Sequence, residues 1–442
     1  MESERGFMTN NEFYPCIILP GIGQSKTELT DGAGNRIKNA WPLDIDTDKL
    51  LKKIKKPFIK SVILRKDAEL TATITKCIEE MLAPLECKND GTPKHPLRVV
   101  SYPYSLAGCS ADEKRYIYKM VPLKELGDVI GEHNLYFFAY NSFGEPYKTA
   151  EELDCFVSAV KRETGAEKVN FVPVSMGGAL ATAYFDAFGA KNDVHRVMYF
   201  VAAVKGSLLL EDLMSGNLNP SGAFDLISML ADRKTAELLG KAIKLLPKKL
   251  PEKMFYSAID AMRRTVLVKC PSIWSVMPPE NYISLRDRYL SAEKYAELRA
   301  KTDRFHAAQS RVYDILKERE SAGTRFFAAV GCGLPLLPVS MHGGVSSDGI
   351  IHSASTSLGA AFAPLGEQLE KTGSGSEYVS PEHDIDASTA LFPETTWFFR
   401  EQQHDAIADN KTALFLALKV LSDESFTDVH SMSELPRFNY TK

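Results

Sequence analysis

The residues best suited to chemistry lie in segment 168–184, KVNFVPVSMGGALATAY. A run of apolar strand formers leads into Ser175, and Met176-Gly177-Gly178 then opens an alanine-rich helical stretch. A serine on a sharp strand-to-helix turn has strained dihedrals and an exposed hydroxyl, which suits attack on an acyl carbonyl. Such a turn crowds the residues two before and two after the serine, so small side chains are favoured there. Gly177 supplies one, while Pro173 stands at the other position, where the end of a strand tolerates proline. The plainer alternative is a tight turn with a buried serine and no chemistry.

A nucleophilic serine needs a base, an acid that orients the base, and donors for the developing oxyanion. The chain order Ser, acid, His directs attention to late histidines. His404 sits just past the apolar run Thr396–Arg400, where the base belongs. His352 and His383 are reserves in earlier loops. His306 falls in a helical stretch and His430 in the C-terminal tail. The acid should follow the apolar run at 325–330. Asp348, in Ser346-Ser347-Asp348-Gly349-Ile350-Ile351, is favoured; Asp386, in His383-Asp384-Ile385-Asp386-Ala387-Ser388, is the alternative. Either carboxylate could equally serve a turn, the commonest use of Asp. For the oxyanion the early segment CIILPGIGQS offers Gly21 and Gly23, which free the backbone. The candidate donors are the N–H groups of Ile22 or Gly23, together with that of Met176. Trp41 is a candidate pocket contact, with core packing as its alternative.

The elements that must position these groups read as an α/β fold with a mostly parallel sheet. Apolar runs occur at Cys16–Leu19, 98–101, 135–140, 169–174, 197–201, 325–330 and Thr396–Arg400. Helical patterns at 149–163 and 178–188 separate several of them. From 207 to 320 the strand signal disappears, and helices are expected at 224–246, 252–262 and 292–318, the last with Ser291 as N-cap. The expected organisation is one catalytic core, residues 1–206 and 321–442, split by a helical cap or lid at 207–320 over the carboxyl edge of the sheet. A helical subdomain that only adds stability is the alternative. Gly373-Ser374-Gly375-Ser376 reads as an exposed loop.

Composition removes several classes. The chain has 442 residues, a net charge of −4 and 44% hydrophobic residues, enough for a sizeable core and without the basic surplus of a nucleic-acid binder. No run of about 20 apolar residues is present to span a membrane. The start, MESERGFMTNN, lacks the basic and apolar regions of a secretion signal, so the expected location is cytoplasmic. Seven scattered cysteines form no C-x-x-C pair, which argues against zinc and against a disulfide framework. No metal or organic cofactor is implied, and the sequence leaves the oligomeric state open. Two basic stretches, KLLKKIKKPFIK at 49–60 and KAIKLLPKKLPEK at 241–253, are read first as helices with solvated lysines. Contact with an anionic membrane surface is the other reading.

Taken in order, these motifs resemble the lecithin:cholesterol acyltransferase-like branch of the α/β-hydrolases. The resemblance rests on Pro20-Gly21-Ile22-Gly23, the Ser175–Gly178 turn, Pro271-Ser272-Ile273-Trp274-Ser275-Val276-Met277-Pro278, Gly331-Cys332-Gly333-Leu334-Pro335 and Asp348-Gly349-Ile350-Ile351. It runs from about Cys16 to His404. The family's Tyr-Asp-Trp-Arg run is Tyr140-Asn141-Ser142-Phe143 here, and Pro173 replaces a small residue. The resemblance implies an α/β-hydrolase fold with a mobile lid over Ser175, acting on a lipid-like or other hydrophobic ester. It implies a lipase or esterase, or an acyltransferase if an alcohol takes the acyl group, with Trp274 as a further substrate contact. A catalytically silent binding protein on the same fold is the alternative from another class.

Overall fold

A computed structural model describes residues 13–223, 225, 240–371 and 375–440. Twelve strands are described: β1 (Cys16–Leu19), β2 (Thr27–Thr30), β3 (Arg36–Trp41), β4 (Leu97–Val99), β5 (Leu135–Phe137), β6 (Val169–Pro173), β7 (Val194–Phe200), β8 (Arg325–Cys332), β9 (Ala361–Phe362), β10 (Ile385–Asp386), β11 (Thr396–Arg400) and β12 (Phe438–Tyr440). Seven form the main sheet in the order β12-β11-β8-β7-β6-β1-β5, and every adjacent pair is parallel.

The central strands are mostly apolar because both faces of this sheet are covered, with Asn170 and Arg196 among the polar exceptions. Alternate side chains go to opposite faces. Ile17, Leu19, Phe171, Val197, Tyr199 and Val330 join one buried cluster with the helices Pro146–Thr164 and Gly177–Phe188. Cys16, Ile18, Val172, Met198, Phe327 and Trp397 join a second, against the helices Ala111–Met120, Lys124–Ile130 and Lys411–Ser422. Each such large apolar side chain contributes about 1.5–3 kcal/mol on burial, so the sheet is a stiff platform for the loops at its carboxyl edge.

Three expectations need correction. The apolar run at 98–101 contributes β4, which pairs antiparallel with β2 in a separate three-stranded sheet, β3-β2-β4. The run Thr396–Arg400 is not the last strand, because β12 adds to the edge beside it. Ser291 ends the helix Pro279–Leu290 rather than capping the next, and the expected helix at 292–318 is two, Ala296–Ser310 and Val312–Ser321, broken at Arg311. The expected helix at 224–246 falls mostly outside the described residues, as do Gly373 and Ser374 of the GSGS loop.

Between β7 and β8 the described chain is helical. Phe305, Ala308, Val312, Ile315 and Leu316, from the last two helices, enter the cluster on the Gly177–Phe188 side of the sheet. The middle part, including Val266, Trp274, Tyr282 and Leu290, packs with Ala40, Leu85 and Phe143 in a cluster of its own. No helix among the described residues is long and apolar enough to cross a membrane.

Candidate active site

Ser175 lies two residues past the end of β6 and has φ of +52°, the left-handed conformation rarely adopted by side-chain-bearing residues. Three backbone bonds hold it there. Its N–H donates to Phe200 O at 3.1 Å, and its carbonyl accepts from Gly178 N at 3.0 Å and Ala203 N at 2.8 Å. The glycine two residues on is a steric requirement, since a Cβ on Gly177 would fall 2.1 Å from Leu19 O. Pro173 costs little because it closes β6, where it lies opposite Leu19.

Ser175 Oγ lies 3.0 Å from His404 Nε2, and His404 Nδ1 lies 2.7 Å from Asp348 Oδ2. An ionised carboxylate only accepts, so Nδ1 carries the proton and Nε2 presents its lone pair to the Ser175 hydroxyl. Asp348 is fully buried and doubly anchored. Its Oδ1 accepts from Ile350 N at 3.0 Å and Ile351 N at 2.8 Å, and its backbone carbonyl accepts from His404 N at 2.8 Å. The two amides fix the carboxylate plane and leave Oδ2 to the imidazole. Burial alone would depress the His404 imidazole, but the Asp348 charge and hydrogen bond outweigh it and raise its pKa above the ordinary 6.5.

The chain therefore brings together, in the order Ser175, Asp348, His404, the ends of β6, β8 and β11, which lie near one another in one parallel sheet. The fold is α/β-hydrolase-like. No family model matches the sequence, and no curated protein matches it. Among solved structures, a chain of the Tle4–Tli4 complex aligns over 92% of this chain and 98% of its own, at 10% identity and a TM-score of 0.36. A lipase-esterase related protein from Clostridium acetobutylicum ATCC 824 aligns over 44% and 88%, at 13% identity and a TM-score of 0.18.

The loop after β1 backs the serine. A Cβ on Gly21 would come within 2.8 Å of Ser175 Cβ, so only glycine allows this approach. The Gly21 N–H is already taken, donating to Gln24 Oε1 at 2.5 Å, while Gln24 Nε2 donates to Met120 O at 2.8 Å. Tyr140 Oη donates to Pro20 O at 2.7 Å and braces the same loop. Among the described residues, the N–H groups of Ile22, Gly23 and Met176 have no acceptor. Gln24 and Tyr140 escaped the sequence reading, because a loop glutamine and a tyrosine some 120 positions away carry no local signal of their partnership.

The other candidates lie elsewhere. Asp386 accepts from Ser388 N at 3.0 Å and Ser388 Oγ at 2.6 Å and caps a short helical turn, whereas the His404 partner is Asp348. His352 is pushed down to about 4 by burial, against the pull of Asp348, and its Nδ1 has no partner among the described residues. His383 has φ of +59° and donates its backbone N–H to Ser380 O, a turn role. His306 stacks on Tyr282 with ring centres 4.2 Å apart, and His430 lies 3.4 Å from Glu394. Trp274 is buried in the insertion, with its indole N–H donating to Val268 O at 2.9 Å, so it is a core residue rather than a substrate contact. Trp41 leans on the loop after β1: its Nε1 would lie 3.4 Å from a Cβ on Gly23, and its ring meets Phe143 edge-on at 5.1 Å. Among the described residues, no group of three or more His, Cys, Asp or Glu is disposed to hold a metal.

Proposed function

We propose that this chain is a serine acyl hydrolase of lipase or esterase type, cleaving a hydrophobic carboxylic ester through an acyl-enzyme. The observation that supports this reading is the hydrogen-bonded series from Ser175 Oγ through His404 to Asp348, with the serine in a left-handed turn. In the proposed mechanism His404 Nε2 takes the Ser175 proton as Oγ attacks the acyl carbonyl. The carbonyl oxygen gains negative charge and is met by the N–H groups of Met176 and of Ile22 or Gly23. His404 then protonates the leaving alcohol. Water, deprotonated by the same imidazole, releases the acid in a second round.

An apolar acyl group is favoured by what borders the serine. Ile22 is 41% exposed on the loop that backs Ser175, and Trp41 flanks Gly23. We place the chain nearest the lecithin:cholesterol acyltransferase-like branch, on the Pro20–Gly23 loop, the Ser-Met-Gly-Gly turn and the Asp348-Gly349 turn. In this reading the helices between β7 and β8 act in part as a lid.

The test is fluorophosphonate labelling of the native chain beside Ser175→Ala. Labelling of the native protein alone is expected, and equal labelling of both removes Ser175 from the nucleophile role. p-Nitrophenyl esters of increasing chain length then read the acyl preference. A clear preference for acetate over long chains would count against the hydrophobic-ester assignment.

A further inference from the structure

The helix Thr47–Leu64 carries six lysines and one acidic residue in a chain whose net charge is −4. Its packed side is formed by Ile54, Phe58 and Val62, which lie against Leu246 and Leu250. At 100° per residue the opposite side presents Lys52, Lys56, Ile59 and Ile63 in one stripe. Ile59 is 45% exposed and Ile63 is 71% exposed. The two isoleucines are therefore not the buried side of an ordinary amphipathic helix, because that side is already filled by others.

The second basic stretch packs against the helix from the other side and leaves this stripe open. Arg65, at the end of the helix, donates from Nη1 to Leu245 O at 3.3 Å, and Leu245 is 56% exposed. Lys244, Lys248 and Lys249 around it are exposed too. Among the described residues none of these three, nor Lys52 or Lys56, has an ion pair. Lys53 and Lys253 instead pair with Glu80 and Asp67. The outer stripe of the helix thus pairs two exposed isoleucines with two lysines that have no ion pair among the described residues, and further exposed lysines lie on the segment packed behind it.

We propose that this stripe of the helix docks onto an anionic lipid bilayer. The lysines supply attraction to acidic headgroups, and Ile59 and Ile63 enter the boundary between headgroup and acyl chain. A soluble polyanion would use the cations but gain nothing from the isoleucines, so the pairing of the two favours a membrane.

The experiment is cosedimentation of the full chain with vesicles of phosphatidylcholine alone or with 30% phosphatidylserine, at low and high salt. Ser175→Ala is run in parallel and should bind like the native chain, which separates this proposal from the hydrolase reading. The native chain should bind the anionic vesicles and release in high salt. Lys52→Glu/Lys56→Glu and, separately, Ile59→Ser/Ile63→Ser should each weaken partitioning by roughly tenfold or more. Both variants alter exposed side chains, and unchanged thermal melts would confirm their folding. No binding by the native chain, equal binding to neutral vesicles, or no effect of either variant overturns the proposal. Tight binding to heparin or duplex DNA that the lysine variant abolishes and the isoleucine variant leaves intact would assign the face to a soluble polyanion instead.

Discussion

At the residue scale, the Asp348–His404 contact yields the sharpest prediction. The His404 pKa is raised, and the base must be neutral, so kcat/KM should rise with pH through a midpoint above 6.5. In Asp348→Asn the attractive charge is gone and burial remains. The imidazole pKa then falls, and the acidic limb moves to lower pH. The amide also favours the wrong tautomer, so kcat should drop by roughly 10³–10⁴. A pH–rate profile of native and variant protein checks both. An unmoved limb would show that another carboxylate sets the base. Gln24→Ala tests the loop in the same way. It strips the Gly21 N–H of its acceptor and frees the segment backing Ser175, so kcat should fall about tenfold with KM nearly unchanged. A rise confined to KM would instead place Gln24 in substrate binding. The serine, aspartate and histidine were legible because Ser175 closes one apolar run and Asp348 and His404 follow two later ones in a fixed chain order. Gln24, Tyr140 and the Ile350 and Ile351 amides were not, because their roles are set by the folded path of the backbone.

At the scale of elements, legibility followed how far each run is buried. β1, β6, β8 and β11 lie inside the sheet, are largely buried, and read as predominantly apolar stretches. β12 has the sequence Phe-Asn-Tyr with an exposed end, and only pairing with β11 makes it a strand. β4 is too short, and too exposed at Arg98, to announce its antiparallel partner. One element junction carries an unusual polar group. Arg196 on β7 is fully buried, and its guanidinium donates to the carbonyls of Val420, Asp423 and Glu424 at 2.6–3.0 Å. It thereby caps the end of the helix Lys411–Ser422, whose last carbonyls carry partial negative charge. Arg196→Met keeps most of the volume and removes the donors, so unfolding free energy should fall by roughly 3 kcal/mol. Urea denaturation measures this, and a loss well under 1 kcal/mol would mean that water satisfies those carbonyls.

At the scale of the whole molecule, the helices between β7 and β8 are tied to the turn that holds the acid. Ser207, at the start of this insertion, donates from Oγ to Ile350 O at 2.6 Å, and the N–H of that same Ile350 orients Asp348. One turn on, the fully buried Asp212 accepts through Oδ2 from Ser340 Oγ, from Met341 N at 2.9 Å and from His342 Nδ1 at 3.0 Å. These three donors lie on the loop leading from β8 to Asp348. Any displacement of the first helix of the insertion must therefore pull on the acid-bearing loop, so a moving lid has its hinge beyond Asp212. Asp212→Ala would leave three donors without their acceptor, at a cost of about 3 kcal/mol. Because the loosened loop also holds Asp348, kcat should fall together with stability. Ser207→Ala removes a single bond and should lower kcat several-fold with a loss of about 1 kcal/mol. Urea melts paired with ester turnover separate the two effects. If Asp212→Ala melts early yet keeps full kcat at a temperature where it is folded, the insertion and the acid turn are mechanically independent, and the hinge need not lie beyond Asp212.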